Sequence, residues 1–303
     1  MASLRYFGSS KMERKRTLWG YLFILPALLG LLIFYLGPML YSLIISFSEW
    51  DIITMPKFVG IENYQTMFFK DDLIKKSLVV TAYYSLLAVP MINIVSLFLA
   101  TLLNSKIKGL SVFRTIFYLP SIVPAVASAA LWMFLCNPMF GFFNTMLGWF
   151  GIARQQWIYD SKQVIPVLAV MATWAAGNTV IIYLAGLLGI PNHLYEAVEV
   201  DGGNVFHKFF YITVPLMTPI IFFNVVMGVI QSMQTFTQGF IMTQGGPANA
   251  SLFYVLHLYR NAFKHQKMGY ASAMAWLLFI IIGILTFINF KLANKWVVKG
   301  EGE

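Results

Sequence analysis

Charge is what this sequence has least of. Asp, Glu, Lys and Arg supply 11% of its 303 residues, against about 25% in an ordinary soluble domain. With 59% hydrophobic residues beside so little charge, an ordinary water-soluble globule is excluded, and lipid is the implied solvent. Cysteine is nearly missing as well. Cys136 stands alone, which excludes an internal disulfide and any multi-cysteine metal site. There is no G-x-x-x-x-G-K-[ST] loop to cradle a nucleotide phosphate. His193, His207, His257 and His265 lack H-E-x-x-H spacing, and no G-x-S-x-G elbow offers a serine nucleophile. An enzyme is therefore not expected, nor a cofactor or metal held by this chain.

What the sequence does have is long apolar runs, and about 20 such residues cross a bilayer. Six spans are read at 18–47, 77–103, 112–134, 164–188, 212–233 and 271–292. The expected fold is all-α and membrane-integral: a segment 1–17, a six-helix domain 18–293 and a tail 294–303. Lys11, Arg14, Lys15 and Arg16 imitate the start of a signal peptide. The apolar run behind them is far longer than the usual 7–15 residues and no A-x-A site follows, so an uncleaved anchor is expected.

The net charge of +9 does not point to nucleic acid, because the basic residues flank the spans in short clusters as orientation signals do. Twelve of the 21, including Arg5, Lys106, Lys108, Lys291 and Lys299, fall on the side that holds both termini. The positive-inside rule then puts both termini in the cytoplasm. Lys75 and Lys76, abutting the second span, count against this orientation.

Between the fourth and fifth spans lies an acidic stretch, YEAVEVDGGNVFHKFFYITVPL, residues 195–216. Asn192 is expected to cap a short helix, Gly202 to end it in the left-handed region, and Asn204 to cap a second. Leu194, Ala197, Val198 and Asp201 share one face by their spacing. Two readings fit this helix–turn–helix elbow: an interfacial helix, or a docking element for a soluble partner. The residues by themselves favour the interfacial helix, and Glu196 and Glu199 tilt the balance only slightly towards docking, since a lipid-bound helix usually shows Lys and Arg on its polar face.

The residues also resemble a known pattern. Glu196-Ala197-Val198, then Gly202, then Ile212-x-Val214-Pro215 is similar to the EAA motif of ABC-importer permeases, E-A-A-x3-G-x9-I-x-L-P, with Val198 and Val214 as mild departures. FVGIENY (58–64), FRTIFYLPSIVP (113–124), MTQGGPANAS (242–251) and YASAMAW (270–276) resemble carbohydrate-importer permeases of the MalF- or UgpA-like type. The likeness runs from about residue 17 to 295, without the extended extracytoplasmic domain of the maltose member. It implies a type I importer permease whose coupling loop, 189–215, meets an ATPase through Glu196, Ala197, Val198, Asp201, Gly202, Ile212 and Pro215. It further implies a second homologous permease, two ATP-binding subunits carrying ATP and Mg, an extracytoplasmic solute-binding protein and a carbohydrate substrate.

Asn178, Tyr183, Gln231, Gln234 and Thr235 are the expected substrate path, their neutral amides and hydroxyls suiting a sugar. On a helix Gln231, Gln234 and Thr235 share a face while Ser232 sits about 100° away. Interhelical hydrogen bonding, worth about 0.6 kcal/mol on average, is the other reading and fits isolated Asn93 and Asn224 better. A stand-alone secondary transporter or channel is the alternative class. It usually carries ionisable residues within its spans, and here the span interiors hold none but Arg114, near the start of the third.

The orientation is testable in intact cells. In a Cys136→Ala background, a cysteine replacing Asn204 should resist impermeant thiol reagents and one replacing Asn249 should react; the reverse pattern inverts the topology.

Overall fold

The computed structural model describes residues 11–105 and 109–297. Arg5, Lys106, Lys108 and Lys299, with most of segment 1–17 and the end of tail 294–303, lie outside the described residues. Helix α1 (Lys11–Leu31) passes through a π-helical turn (Leu32–Leu36) into α2 (Gly37–Ser46). A small antiparallel ribbon follows, β1 (Ser48–Glu49) on β2 (Lys57–Phe58), then α3 (Glu62–Phe69) and the long α4 (Asp72–Leu103). Next come α5 (Leu110–Ile122), α6 (Ala125–Leu135), α7 (Phe142–Trp149), α8 (Val164–Trp174) and α9 (Gly177–Leu188). The remainder is α10 (Asn192–Val200), α11 (Val205–His207), α12 (Val214–Met233), α13 (Tyr254–Tyr259) and α14 (Met268–Ala293).

Among the described residues, four unbroken helical stretches are long and apolar enough to cross a membrane: Lys15–Ser46, Asp72–Leu103, Val205–Met233 and Met268–Ala293. The other two spans, read at 112–134 and 164–188, are each a bent pair of helices. α5 and α6 meet at 100°, and α8 and α9 at 50°. The sharper bend has a local cause. Val123 precedes Pro124 and sits at ψ 130°, because the proline ring pushes the residue before it out of the helical region. Pro38 and Pro215 instead lie just past π-helical turns, at Leu32–Leu36 and Lys208–Thr213. A widened turn offsets the N–H that proline lacks, and each helix carries on.

Helix α4 is the hub, packing on α8, α9, α12 and α13. One core joins its Val80, Tyr84 and Ala88 to Trp132, Leu168 and Phe253, and another joins Ala100 and Leu103 to Leu184, Leu187 and Met217. Each large apolar side chain so buried contributes about 1.5–3 kcal/mol. By contrast, the apolar residues of α1 stay exposed along its length.

The second span begins earlier than its apolar pattern suggests. Asp71 caps α4, its Oδ1 accepting from Leu73 N at 3.0 Å, which draws Lys75 and Lys76 into the first helical turns. Lys76 Nζ then donates to Ala248 O at 2.6 Å. Asp71 Oδ2 accepts from Tyr270 Oη at 2.7 Å and faces His257 Nε2 at 2.8 Å. A carboxylate only accepts, so Nε2 carries the proton. The carboxylate thus clamps α4 to α13 and α14 at the end of the bundle remote from the acidic elbow. Burial pushes the Asp71 pKa up, but the bonds from Tyr270 and His257 outweigh it and hold the pKa below the ordinary 3.8.

Asp71→Ala should destabilise the protein by about 1–3 kcal/mol by stranding buried partners. Because the folded pKa is depressed, the wild-type contribution is complete above the ordinary carboxylate value and is lost as pH falls through the folded one. Thermal unfolding in detergent should show acid destabilisation in the wild type that Asp71→Ala lacks. An equal acid slope in both would assign it elsewhere.

Candidate functional site

The acidic stretch forms the expected elbow, with one correction at its start. Pro191, not Asn192, is the N-cap of α10, and no side chain caps that end. The fixed φ of proline, −63°, already sets the entry, and Asn192 becomes the first helical residue. Leu194, Tyr195 and Ile212 pack on the core of Leu187 and Met217, and Tyr195 Oη lies 3.0 Å from Thr213 Oγ1. This turns Glu196, Ala197, Glu199 and Asp201 outward. The face shared by Leu194 and Val198 is therefore partly covered, while Ala197 and Asp201 remain exposed.

At the corner, Gly202 has φ +78°, a region where a residue with Cβ is strained by roughly 1–2 kcal/mol. Gly203 matters for a different reason. A Cβ there would lie 2.4 Å from Val198 Cγ1 and 2.9 Å from Val198 O, so the corner closes only over a bare backbone. Turn chemistry alone does not single out Gly203, because the clash comes from a side chain on the preceding helix. Asn204 Oδ1 then accepts from His207 N at 3.1 Å, and His207 Nδ1 reaches back to Asn204 N at 3.3 Å. Histidine here fills the place that Glu or Gln takes in the usual capping box. Lys208 Nζ pairs with Glu199 across the corner, and both Val200 and Phe206 are left exposed, at 88% and 70%.

From this corner a single helical stretch, Val205–Met233, runs to the other half of the bundle. Along its C-terminal half, α12 borders with α9 a cavity of 390 Å³. Asn178, Gln231 and Thr235 line it, joined by Thr179, Asn224 and Ser232. Gln238, Phe223, Met227 and Tyr84 add amide, apolar and aromatic surface, and no lining residue is Asp, Glu, Lys, Arg or His. Two expected path residues are not in this wall. Gln234 is exposed where α12 ends, and Tyr183 is fully buried with Oη donating to Asn93 Oδ1 at 2.5 Å.

Ser232 does reach the cavity despite its angular offset, and its Oγ meets Ser85 Oγ at 2.7 Å. Helix spacing alone could not reveal this, because α4 stands beside α12 and supplies a second wall. A larger concavity of 500 Å³ lies among the loops around Asp71, lined by Glu49, Asp51, Glu62 and Lys267. It sits beyond the helix ends, over the clamp, and does not adjoin α9 or α12. Among the described residues no group of three His, Cys, Asp or Glu side chains could hold a metal ion.

A membrane-spanning bundle with an uncharged polar cavity on one flank and an exposed elbow on the same helix is the frame of a solute permease. The chain belongs to the family described as binding-protein-dependent transport system inner membrane components, whose model matches residues 92–299. It is 41% identical over 292 residues to the probable ABC transporter permease protein YesP of Bacillus subtilis (strain 168), covering 95% of this chain and 94% of that protein. It is 30% identical over 289 residues to the trehalose/maltose transport system permease protein MalF of Thermococcus litoralis, covering 94% and 97%. The fold matches a chain of a bacterial ABC transporter involved in importing the acidic polysaccharide alginate, with TM-score 0.80 and 22% identity over 93% of this chain and 96% of that one. This protein is thus an integral membrane permease subunit of the ABC importer class and not itself an enzyme.

Gly203→Ala should loosen the corner by about 1–3 kcal/mol through overpacking. Hydrogen–deuterium exchange should rise at residues 199–207 with little change at α4. Unchanged exchange there would mean that Val198 yields without cost.

Proposed function

We propose that this chain forms half of the translocation path of an ATP-driven carbohydrate importer and takes its drive through the elbow. The observation that carries this reading is the single stretch Val205–Met233, with the exposed corner at one end and the polar cavity wall further along. A rigid helix moves as a lever, so displacement of the elbow shifts the wall. Glu196, Ala197, Val198, Asp201 and Gly202 form the contact with an ATP-binding subunit, and Ile212 and Pro215 fix the elbow to α12. ATP and Mg belong to that subunit. Both termini and the elbow are cytoplasmic in this reading. A second homologous permease covers the open side of the cavity, and an extracytoplasmic solute-binding protein delivers the substrate.

Neutral amides and hydroxyls beside Phe223 and Met227 suit a sugar, which offers hydroxyl edges and C–H faces together. The names of relatives support the same substrate class. They include a system for starch degradation products in Thermoanaerobacterium thermosulfurigenes and one for arabinooligosaccharides in Bacillus subtilis. Asn178, Gln231 and Thr235 are the path residues this reading retains, while Tyr183 acts from behind the wall and Gln234 lies at its edge.

Gly202→Val and Glu196→Lys should each cut substrate-stimulated ATP hydrolysis by the reconstituted importer several-fold. The first strains the corner by roughly 1–2 kcal/mol, and the second reverses charge on the contact face. Membrane insertion should be unaffected. If both variants couple hydrolysis to uptake as the wild type does, the elbow is not the docking element.

A further inference from the structure

We propose that residues 137–157 form a membrane foot, a hairpin around α7 that rests in the lipid interface on the side opposite the elbow. The segment leaves the third span and leads to the fourth, so it emerges at the other end of the bundle from residues 195–216. It lies between spans, where polar residues are the rule, yet residues 137–153 hold no charged side chain. Met139, Phe140, Phe142, Trp149, Phe150 and Ile152 are all exposed, Trp149 at 72% and Phe150 at 75%.

A buried asparagine holds these residues outward. Asn144, 5% exposed, sits on the inner side of α7. Its Nδ2 donates to Pro138 O at 3.1 Å and to Gln155 O at 2.9 Å. Its Oδ1 accepts from Gln155 N and Trp157 Nε1, each at 3.0 Å. Both donors and both lone pairs of the amide are thus used. Phe143 turns inward beside it, with ring centroids 5.6 Å from Trp132 and 5.7 Å from Trp157. Asn137 closes the start of the hairpin, its Oδ1 accepting from Met139 N at 2.9 Å and Phe140 N at 3.2 Å. Pinned on this side, α7 cannot roll its apolar face under.

Three observations identify lipid as the cover. The rings of Phe140 and Phe134 lie 5.8 Å apart, which makes the patch continuous with α6. That helix belongs to a membrane-crossing pair, and its Val126, Leu131 and Phe134 are exposed as lipid-facing residues are. Composition agrees: Trp149 and the phenylalanines carry no charge among them, and Arg154 follows just past the patch. A segment at headgroup level has this pattern, with aromatic rings at the boundary and a basic group toward phosphate. Finally, the backbone turns its polar groups on itself where the helix ends. Phe150 N and Ile152 N donate to Leu147 O, and Gly151 N donates to Gly148 O, at 3.0–3.1 Å. A drier setting therefore costs the hairpin little.

The test uses the complete importer, with cysteine-free companions, in nanodiscs of phosphatidylglycerol and phosphatidylcholine. In a Cys136→Ala background, Phe150→Cys and Lys162→Cys are each labelled with an NBD fluorophore. Phosphatidylcholine bearing a nitroxide near the top of its acyl chain should quench the Phe150 label about threefold more than the Lys162 label, as immersion by about 5–10 Å requires. Aqueous iodide should show the opposite order. Basal ATP hydrolysis by both labelled importers should match that of the unlabelled one, since neither residue belongs to the elbow or the cavity.

Iodide quenching at Phe150 as strong as at Lys162 would put the patch in water and overturn the proposal. Protection of Phe150 from both quenchers, lost when this chain is purified without its companions, would show a protein cover and overturn it equally.

Discussion

A lipid interior offers no partner to a peptide N–H or C=O, so a chain that crosses it must satisfy its backbone within each segment. Almost every feature of this molecule follows from that requirement. It makes the spans helical, and it confines the β-structure among the described residues to a two-residue ribbon beyond the helix ends. It also makes each proline and each helix break something the surrounding structure has to accommodate. Pro38 and Pro215 are absorbed by π-helical turns that keep the helix running. Pro124 is not absorbed, and the chain turns through 100° there.

These two responses to proline have different consequences. Continuity through Pro215 leaves the elbow and the cavity wall on one helix. The bend at Pro124 brings Trp132 back against Trp174, with ring centroids 6.0 Å apart, and into the core around α4. Rigid connection and close folding are thus obtained from the same residue type. The geometry just before each proline decides between them.

Polar groups are sorted as strictly as the backbone. Within the bundle most hydroxyls return to a carbonyl one turn back, as Thr81 and Thr101 do at 2.8 Å. Others pair across helices, as Ser85 does with Ser232. Charge is kept to the helix ends, where Asp71 gathers Tyr270 and His257 into a clamp and Glu199 meets Lys208 across the elbow. The cavity is the place where polar side chains gather without charge.

Much of this is legible in the sequence. Apolar length marks where the chain crosses the membrane, because about 20 residues match the hydrocarbon thickness whatever the neighbours are. The left-handed Gly202 and the capping Asn204 are also readable, since both depend on residues within one turn. The motif spacing from Glu196 to Pro215 points to the family by itself. What the sequence could not reveal depends on which helix stands beside which. Ser232 faces the cavity because α4 adjoins α12, and Tyr183 is withdrawn from it because its hydroxyl finds Asn93, 90 positions away along the chain. Asn93 and Asn224 look alike as lone amides in apolar runs. Only the packed bundle separates them, setting Asn93 between Val89 O and Tyr183 Oη and Asn224 in the cavity wall.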